Sequence, residues 1–509
     1  MSSKILPFGR AAAVFRNLGR QRKRIVQCHG TFDLVHPGHV IHFEEAKKLG
    51  DVLVVTITAA SHVNKGPGRP FFNDALRAKA LAALEVVDHV VVIPHPAAVE
   101  AIELVRPQVY CKGLEYQDSA NDVTGNIHDD VVTVRRLGGK VRYVGSLVFS
   151  STRLLNNYFD THEPEVKEFC RNLAKRFGPE DLRRVVDKFS RLRILVVGEV
   201  IFDRYSTVDV QGLTSKNRIL SARYLGEETH GGGALAVVRH LREFTPHVRL
   251  ATVTGSETWL SRELRPYRRN LAGHLAVRNG VTIVKQRFVE PKTEGKELAK
   301  LFSVNMIKNE PLDPATEQKF LSKLRRLVPQ ADVVLVMDFG HGLLTQPVRS
   351  FLEKKAKFLA VNCQTNSNNY GFNVINRRYH RADSFSLDQA EITLAVGRRC
   401  FDFEKELGEL RRHLKSRYGW LTRGVRETIG MSPKSACHCV PFERVVVDTV
   451  GAGDAFCAIA TMAAAHGLPI EEATFLGQLA GAQAVKVPGN AEPVRKANLL
   501  KTGMALLNF

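Results

Sequence analysis

The hydrophobic positions of the first 160 residues fall into short runs that alternate with helical patterns. The runs have the length and β-branched content of buried parallel strands, and they lie at 25–28, 51–58, 88–93 and 108–111. Apolar residues recur at helical spacing between them, at 40–49, 73–84 and 97–105. Strands that alternate with helices predict a doubly wound parallel sheet.

The pattern changes after residue 160 and then begins again. Residues 161–192 are charged, carry apolar positions at helical spacing and contain a Gly178-Pro179 break, which predicts a helical connector. A new apolar strand opens at 193–205, and a strand-first pattern marks a second domain. We therefore predict an α/β chain of two doubly wound parallel-sheet domains, at 22–160 and 191–509, joined by a connector at 161–190.

The composition limits the number of domains and the class of protein. A length of 509 residues suits two to four domains, and a hydrophobic content of 44% supports large cores. No apolar run approaches the roughly 20 residues of a membrane span, and the basic N-terminus lacks a signal-peptide core, so we expect a cytoplasmic protein. The eight cysteines show no zinc-like spacing and are expected to be reduced thiols.

The net charge of +21 raises the question of nucleic-acid binding. Basic residues are dispersed, apart from clusters at 16–24 and 175–193, and no helix-turn-helix, zinc-finger or aromatic-rich RNA-binding signature is present. A solvated basic surface is the simpler interpretation. Small substrates rich in phosphate would use the same positive field.

The first candidate site is the segment 30–39, GTFDLVHPGH, which lies between a predicted strand and a predicted helix. A helix start offers unpaired backbone N–H groups and a positive dipole end to an anion, and His36 and His39 can donate to phosphoryl oxygens. Gly30 and Gly38 let the backbone approach closely. The segment resembles the active-site signature of the cytidylyltransferase-like nucleotidyltransferases.

This resemblance extends over about residues 22–160 and implies further phosphate-binding positions. CKGLEY at 111–116 resembles the Lys-Gly segment that ends a core strand, and FSSTRL at 149–154 resembles the Ser/Thr helix start, although helix capping alone would also explain it. Lys47 is a minor candidate, and Arg69 and Arg77 are candidates to hold phosphate oxygens. The implied nucleotide and phosphate ligands are Gly30, Thr31, Phe32, Lys47, Arg69, Lys112, Ser150, Ser151 and Thr152.

In reaction terms, the resemblance implies transfer of a nucleotidyl group from a nucleoside triphosphate to a phosphorylated alcohol or sugar. It also implies Mg²⁺ and the release of pyrophosphate. In family members the paired histidines stabilise the charge that develops on the α-phosphate. Base choice depends on loop backbone contacts, so ATP and CTP both remain open as the donor.

The second candidate site is DTVGAGDAF at 448–456. Gly451, Ala452 and Gly453 can offer consecutive backbone N–H groups to a γ-phosphate at a helix start, and Asp454 can accept the proton of an acceptor hydroxyl. The segment resembles the signature of the PfkB/ribokinase family of carbohydrate kinases.

Other segments of the second half support this resemblance. It implies sugar binding by Asp203, by Gly232 and Gly233 of HGGGALA at 230–236, and by Asp338. It also implies that Glu391 supports Mg²⁺ indirectly and that Thr422 and Gly424 lie beside the ATP base and ribose.

Three positions depart from that family's pattern. Ala236 stands where the family usually has Asn, Asp388 replaces Asn, and VNCQ at 361–364 stands where an Asp-x-Lys-like sequence is expected. One polar sugar contact is therefore missing. Phosphoryl transfer stays plausible because Asp454 and the anion loop are present, but the domain is alternatively a sugar-phosphate sensor or dimerisation module.

Together the two domains resemble the bifunctional heptose-phosphate kinase/heptose-1-phosphate nucleotidylyltransferases, in which the kinase comes first; here the order is reversed. One domain would make a sugar 1-phosphate and the other would activate it to an NDP-sugar. We expect sugar phosphate and nucleoside triphosphate as small-molecule partners, no membrane, and a homo-oligomer, a dimer. A nucleic-acid-associated protein and a nucleotidyltransferase with a non-catalytic second domain are the alternatives.

Overall fold

The computed structural model describes residues 3–63, 68–117, 126–145, 156, 163–278, 280–290, 299–308, 310–366, 369–487, 489 and 491–508. The chain forms two compact units, of which the first comprises Met1–Leu182 with Leu500–Phe509 and the second comprises Arg183–Leu499. The division falls inside the predicted connector. The last ten residues lie with the first unit, whereas the sequence boundaries assigned them to the second. The boundaries 22–160, 161–190 and 191–509 stay a prediction of which parts of the chain fold independently.

The first unit is built on a six-stranded parallel sheet in the order β1-β4-β3-β2-β5-β6. Its strands are β1 (Ile5–Leu6), β2 (Ile25–Gly30), β3 (Val52–Thr58), β4 (His89–Ile93), β5 (Val109–Gly113) and β6 (Lys140–Val144). The strand order reverses between β2 and β5. In such sheets a ligand crevice opens at the carboxyl ends of the two strands that flank the reversal.

Helices on both faces of this sheet form two apolar layers. They are α1 (Phe8–Arg20), α2 (Pro37–Lys47), α3 (Asp74–Ala82), α4 (Val99–Val105), α5 (Asn126–Arg136) and α6 (Pro164–Ala174). Side chains of a strand point alternately to opposite faces, so Val55 packs in the layer with Phe43 of α2 while Val54 packs in the layer with Phe15 of α1. The predicted doubly wound sheet is confirmed for this unit.

The second unit contains a larger sheet and a smaller one. Its strands are β7 (Ile194–Gly198), β8 (Val200–Leu213), β9 (Leu220–Gly233), β10 (Val248–Ala251), β11 (Val253–Thr254), β12 (Leu275–Ala276), β13 (Ile283–Glu290), β14 (Ala299–Met306), β15 (Val333–Asp338), β16 (Leu359–Cys363), β17 (Ser384–Asp388), β18 (Tyr418–Thr422), β19 (Thr428–Met431) and β20 (Ala436–Cys439). The larger sheet has the order β10-β7-β15-β16-β17-β18-β19-β20. It is parallel from β10 to β18 and antiparallel at β19 and β20.

The smaller sheet has four strands in the order β14-β13-β8-β9. β8 and β9 form a long antiparallel pair, and β13 lies parallel to β8. The parallel α/β class is confirmed for the large sheet, but this second sheet was not predicted. Asp203 therefore lies inside β8 and not at a strand end, and His230 to Gly233 lie in β9 and not in a loop.

The helices of the second unit cover the larger sheet. They are α7 (Pro179–Lys188), α8 (Ala234–Arg242), α9 (Leu260–Leu264), α10 (Pro314–Leu327), α11 (Gln346–Lys355), α12 (Ile375–Arg378), α13 (Gln389–Val396), α14 (Phe403–His413), α15 (Ala452–Ala465), α16 (Ile470–Ala484) and α17 (Lys496–Leu506), the first and last of which cross the unit boundary. Buried Phe320, Val336, Phe385 and Leu421 belong to one continuous core. In the part of the chain that the structure describes, no helix has both the length and the apolar character needed to span a bilayer.

Candidate active sites

His36 and His39 lie together at the start of α2. His36 is the N-cap residue, in extended conformation with φ −138° and ψ 168°, and Pro37 is the first helical residue. The two imidazole rings stack with their centroids 3.8 Å apart and an interplanar angle of 17°. The free N–H groups and the positive dipole end of α2 are at the same place. Two nitrogen-bearing rings and a helix N-terminus therefore converge at the carboxyl edge of β2.

The Phe32 ring packs against the His39 ring. Its backbone has φ +45°, and its ring meets the rings of His39 and Phe43 edge-on, at centroid distances of 5.2 and 5.1 Å. A Cβ on Gly30 would lie 3.1 Å from the Phe32 ring, so a larger residue at position 30 would force the ring to shift. Burial lowers the pKa of His36, so its imidazole is neutral near pH 7 until an anion approaches.

His29 is a third histidine at this strand end, and the sequence reasoning did not single it out. Its Nδ1 lies 2.9 Å from Thr56 Oγ1, and its Nε2 lies 3.2 Å from Thr58 Oγ1. Burial, with a smaller contribution from the charge of Lys112, lowers the pKa of His29 to about 3. The ring is therefore a neutral hydrogen-bonding group that joins the ends of β2 and β3.

Lys112 lies at the end of β5, on the other side of the strand reversal from Gly30. Its Nζ is 3.0 Å from Asp130 Oδ2 and 5.3 Å from the centroid of the Tyr110 ring. Its side chain keeps 16% exposure. The predicted phosphate-binding residue is thus at the crevice, although Asp130 offsets part of its charge.

Arg77 does not support the predicted phosphate role. Its side chain is buried, and its guanidinium donates to Thr31 O at 2.7 Å and to Thr58 O at 2.9 Å and pairs with Asp74. A guanidinium whose donors are directed to internal carbonyl groups cannot turn to a ligand without leaving those carbonyls unsatisfied. Arg77 instead fixes the backbone of the segment 30–39 at Thr31.

Arg69 is likewise engaged inside the unit. Its Nη1 is 3.4 Å from Asp33 Oδ2, its Nη2 donates to Asn156 Oδ1 at 3.0 Å, and only 4% of its side chain is exposed. Asp33 also accepts hydrogen bonds from the backbone N–H groups of Phe71 and Phe72, at 2.9 and 3.0 Å. Arg69 therefore ties two loops together behind the histidines.

Lys47 lies at the wrong end of its helix for the predicted role. It is the last residue of α2, and its Nζ donates to Asp51 O at 2.7 Å and pairs with Asp88. Asp51 and Asp88 precede β3 and β4, at the edge of the sheet opposite to the crevice. We therefore remove Lys47 from the candidate site. Ser150, Ser151 and Thr152 lie outside the described residues.

In the second unit, Asp454 lies in the first turn of α15. Gly451 is the N-cap with φ +82°, and Ala452 and Gly453 precede Asp454 in the helix. Gln364 Nε2 donates to Asp454 Oδ1 at 2.6 Å. The pKa of Asp454 is raised to about 6, chiefly by burial and to a smaller extent by the charge of Asp203, against the opposing Gln364 hydrogen bond and the charge of Lys285. The carboxylate is ionised at neutral pH, as a general base must be.

Asp203 reaches the same region from the smaller sheet. It is buried and forms an ion pair with Arg287, and its register partners are Lys285 on β13 and His230 on β9. A Cβ on Gly232 would lie 2.4 Å from Asp203 Oδ2. The predicted Asp203, Gly232 and Gly233 are thus brought together, and a side chain at 232 would displace the carboxylate beside it.

Lys285 and Arg287 were missed by the sequence reasoning. They alternate on β13, and Arg287 also lies over the Tyr205 ring at 5.4 Å. Burial lowers the pKa of Lys285, against the opposing charges of Asp203 and Asp454. Two cations beside the two acidic residues could be recognised only once β13 was known to pair with β8.

Asp338 is held by internal hydrogen bonds. It is fully buried and accepts hydrogen bonds from Tyr379 Oη at 2.7 Å and Gly340 N at 3.0 Å, with Arg378 Nη2 at 3.3 Å. A buried carboxylate with three internal donors supports the surrounding loops. These contacts give Asp338 a structural role, and its sugar contact stays a prediction.

Glu391 supports the backbone of the Gln364–Thr365 segment, which contacts Asp454. It forms a capping box with Asp388 and accepts hydrogen bonds from Asp388 N at 2.8 Å and Thr365 N at 3.1 Å. Burial, followed by the charge of Asp388, raises the pKa of Glu391 to about 8. Because Thr365 follows Gln364, Glu391 helps to fix the side chain that contacts Asp454. Within the described ranges, no group of three or more His, Cys, Asp or Glu side chains is placed to hold a metal ion.

Thr422 and Gly424 lie at a turn beside the end of β17. Thr422 Oγ1 donates to Leu387 O at 3.3 Å, and Gly424 adopts φ +57° in the connection from β18 to β19. Thr422 is the last residue of β18 and Gly424 lies two residues after it, at the same sheet edge as Asp388. That position is compatible with the predicted nucleotide contact.

Comparison with known proteins identifies two regions, in the order that the sequence predicted. The cytidylyltransferase-like family profile matches residues 28–168, and the profile of the pfkB family of carbohydrate kinases matches residues 405–497. The chain is similar to the bifunctional protein HldE of Aliarcobacter butzleri, with 42% identity over 132 residues, which are 25% of this chain and 27% of the relative.

The bifunctional protein HldE of Magnetococcus marinus is 37% identical over 145 residues, 28% of each chain. The chain thus matches less than a third of the length of these relatives. Among solved structures, an Arabidopsis thaliana ribokinase is 17% identical, covers 62% of this chain and 99% of its own, and gives a TM-score of 0.47. The resemblance to bifunctional HldE proteins in the cytidylyltransferase-like region is confirmed, and a pfkB-family match follows it in the chain.

Proposed function

We propose that the protein is a bifunctional enzyme of nucleotide-sugar biosynthesis. The first unit transfers a nucleotidyl group from ATP or CTP to a sugar 1-phosphate and releases pyrophosphate. The second unit phosphorylates a heptose-like sugar or sugar phosphate with ATP. The observation that carries this proposal is the stacked pair His36 and His39 at the N-terminus of α2, beside the strand reversal of a parallel sheet.

In the transfer reaction, an oxygen of the sugar phosphate attacks the α-phosphorus, and the bond to the β-phosphate oxygen breaks. Negative charge grows on the α-phosphate oxygens and on the leaving pyrophosphate. His36 and His39 and the free N–H groups of α2 stabilise that charge, and they are already oriented before the reaction begins. Lys112, across the crevice, adds a positive charge on the β5 side.

In the kinase reaction, Asp454 accepts the proton of the acceptor hydroxyl while that oxygen attacks the γ-phosphorus of ATP. The backbone N–H groups of Gly451, Ala452 and Gly453 at the start of α15 hold the γ-phosphate. Asp203 orients the sugar hydroxyls. Lys285 and Arg287 supply positive charge beside Asp203, which favours an acceptor that itself carries a phosphate group.

Mg²⁺ fits both reactions as a partner of the nucleotide phosphates. Mg²⁺ in such sites is held mainly by phosphate oxygens and water, with one or two carboxylates. The Glu391 oxygens accept backbone N–H groups, so Glu391 suits the supporting role that the sequence predicted and not direct ligation. When bound, Mg²⁺ neutralises phosphate charge.

One observation favours the second candidate function, a sugar-phosphate sensor. Gln364 donates directly to Asp454 at 2.6 Å, and it stands where the family pattern has a different residue. A base that accepts a short hydrogen bond from an amide is a weaker proton acceptor. Catalytic turnover by the second unit, or binding without turnover, separates the two functions.

We also propose a homodimer formed through the smaller sheet. Phe302, Val304 and Met306 alternate along β14, so they share one face of the sheet, and each is more than 40% exposed. A row of exposed large apolar side chains on an edge strand is unusual for a free surface. A second copy of the chain would cover it.

Pyrophosphate release tests the transfer function. Full-length protein is incubated with ATP or CTP, Mg²⁺ and a panel of sugar 1-phosphates, and one combination is expected to give sustained release. Replacing His36 or His39 by Ala should slow that release by on the order of 100-fold to 1,000-fold, because a single preorganised donor contributes that much. Near wild-type release by both variants would show that the histidines are not the active site.

A further inference from the structure

We propose that the C-terminal segment, residues 500–508, is a positioning element of the nucleotidyl-transfer site. It acts through Asn156 and Arg69 on the loop that carries the two histidines. This inference rests on the proposed transfer function of the first unit. Its observations all lie within that unit, to which the segment belongs.

The C-terminal segment ends a helix and leaves carbonyl groups that need donors. α17 ends at Leu506, and the last carbonyl groups of a helix lack partners within it. Leu506 and Leu507 are each only 2% exposed, so these carbonyl groups are held close to a packed core. Ala505 O accepts a long hydrogen bond from Asn508 N at 3.4 Å, and a further donor stabilises a buried carbonyl that is satisfied only weakly.

Asn156 provides that donor. It is 2% exposed, and its Nδ2 donates to Ala505 O at 2.7 Å and to Asn508 O at 3.0 Å. Both amide protons of Asn156 are thus committed to the C-terminal segment. Its Oδ1 accepts from Arg69 Nη2 at 3.0 Å, so the orientation of the amide is fixed from both ends.

Arg69 connects Asn156 to Asp33, which belongs to the segment 30–39. A planar guanidinium that binds Asn156 through Nη2 directs Nη1 to Asp33, at 3.4 Å. Asp33 also binds the backbone N–H groups of Phe71 and Phe72 and stands three residues before His36. Loss of the C-terminal contact would free the Asn156 amide to rotate, and with it the guanidinium that holds Asp33.

The experiment uses two changes in the full chain, alone and together. Ending the chain at Met504 removes Ala505 and Asn508, while Asn156→Asp keeps an oxygen for Arg69 but loses the amide protons that reach the C-terminal segment. Lys496→Ala is the matched control, because Lys496 lies on the same helix but forms an exposed ion pair with Asp187. Two readouts are taken: amide hydrogen exchange of peptides covering 31–39 and 69–74, and kcat and KM for pyrophosphate release.

We expect each single change to speed exchange in both peptides and to lower kcat by about tenfold, because a small displacement of a positioned group has a large effect on rate. The combined variant should be no slower than the slower single variant, since both changes break one connection. Lys496→Ala should match the wild type. Full activity and unchanged exchange in Asn156→Asp, or independent losses that multiply to about 100-fold in the combined variant, would overturn the proposal.

Two further outcomes are also decisive. If the chain that ends at Met504 no longer unfolds cooperatively, the proposal is judged from the hydrogen exchange and kinetics of Asn156→Asp alone. That variant removes no buried apolar group. If the wild type releases no pyrophosphate with any donor and sugar 1-phosphate, the transfer function fails. Hydrogen exchange at 31–39 and 69–74 then decides by itself whether the segment holds the loop.

Discussion

At the scale of single residues, surroundings decide what a charged or titratable side chain does. Arg77 and Asp338 have the chemistry of ligands, but internal donors and acceptors occupy both. His29 and His36 are seven residues apart; the first is fixed as a neutral hydrogen-bonding group, and the second lies at a helix start. Residue type alone therefore does not assign a role in this protein.

The pKa of Asp454 gives a prediction of pH dependence. A raised carboxyl pKa of about 6 means that the base is ionised above pH 6 and is lost as the pH falls through that value. For a kinase, kcat/KM should therefore be constant from about pH 7 upward and about tenfold lower at pH 5. Initial rates of ATP consumption with the sugar acceptor, measured from pH 5 to 8, check this.

Asp454→Asn serves as the control for that profile. Asn fits the helix start about as well as Asp but has no comparable basicity, so turnover should fall by roughly 100-fold or more. The residual rate should no longer rise through pH 6. A wild-type profile without an inflection between pH 5 and 7 would show that Asp454 is not the base.

Sequence motifs predicted the candidate-site residues that lie in continuous segments. Gly30, His36 and His39, and Gly451 to Asp454, lie on strand-to-helix turns that the pattern of apolar runs already located. Lys285 and Arg287 could not be found in this way, because they reach Asp203 only through pairing of strands about 80 residues apart. The internal contacts of Arg77 and Lys47 could not be predicted, because the burial of a basic residue and its position along a helix are not visible from residue type alone.

At the scale of secondary-structure elements, the alternation of strands and helices was predictable where each element is long and apolar. β3, β4 and β5 and the helices between them lie within a few residues of their predicted ranges. β1 was not predicted, because two residues carry no periodic signal; their pairing with β4 and their packing on the core depend on distant parts of the chain. The smaller sheet was missed because β9 is largely exposed and polar.

The contact between β9 and β8 gives a prediction about Gly232. A Cβ at 232 would lie 2.4 Å from Asp203 Oδ2, so Gly232→Ala should displace the carboxylate that we propose orients the sugar. We expect kinase kcat/KM for the sugar acceptor to fall between about tenfold and 100-fold, with nucleotidyl transfer unchanged. Steady-state assays of both activities on one preparation measure this.

Gly226→Ala is the matched control on the same strand. A Cβ at 226 meets no atom within 4 Å, so this variant should keep wild-type kinetics. Equal losses in both variants would mean that any side chain added to β9 disturbs the unit. Wild-type kinetics in Gly232→Ala would remove Asp203 from the sugar site.

At the scale of the whole molecule, the chain carries two α/β units whose candidate sites have complementary chemistry. One site suits attack on an α-phosphate and the other suits attack on a γ-phosphate. The net charge of +21 is compatible with nucleoside triphosphate and sugar-phosphate substrates. Such a chain would form an anomeric phosphate and a nucleotide sugar with separate catalytic residues.

One measurement tests that claim most directly. Phosphorus NMR follows full-length wild type, His36→Ala and Asp454→Asn with ATP, CTP and Mg²⁺, supplied either with a sugar or sugar phosphate that has a free anomeric hydroxyl, or with a sugar 1-phosphate. The wild type should form an anomeric phosphate from the first substrate and a nucleotide sugar and pyrophosphate from the second. Asp454→Asn should lose only the first reaction and His36→Ala only the second. Loss of both reactions in either variant, or retention of both in both variants, would contradict a bifunctional enzyme with two separate active sites.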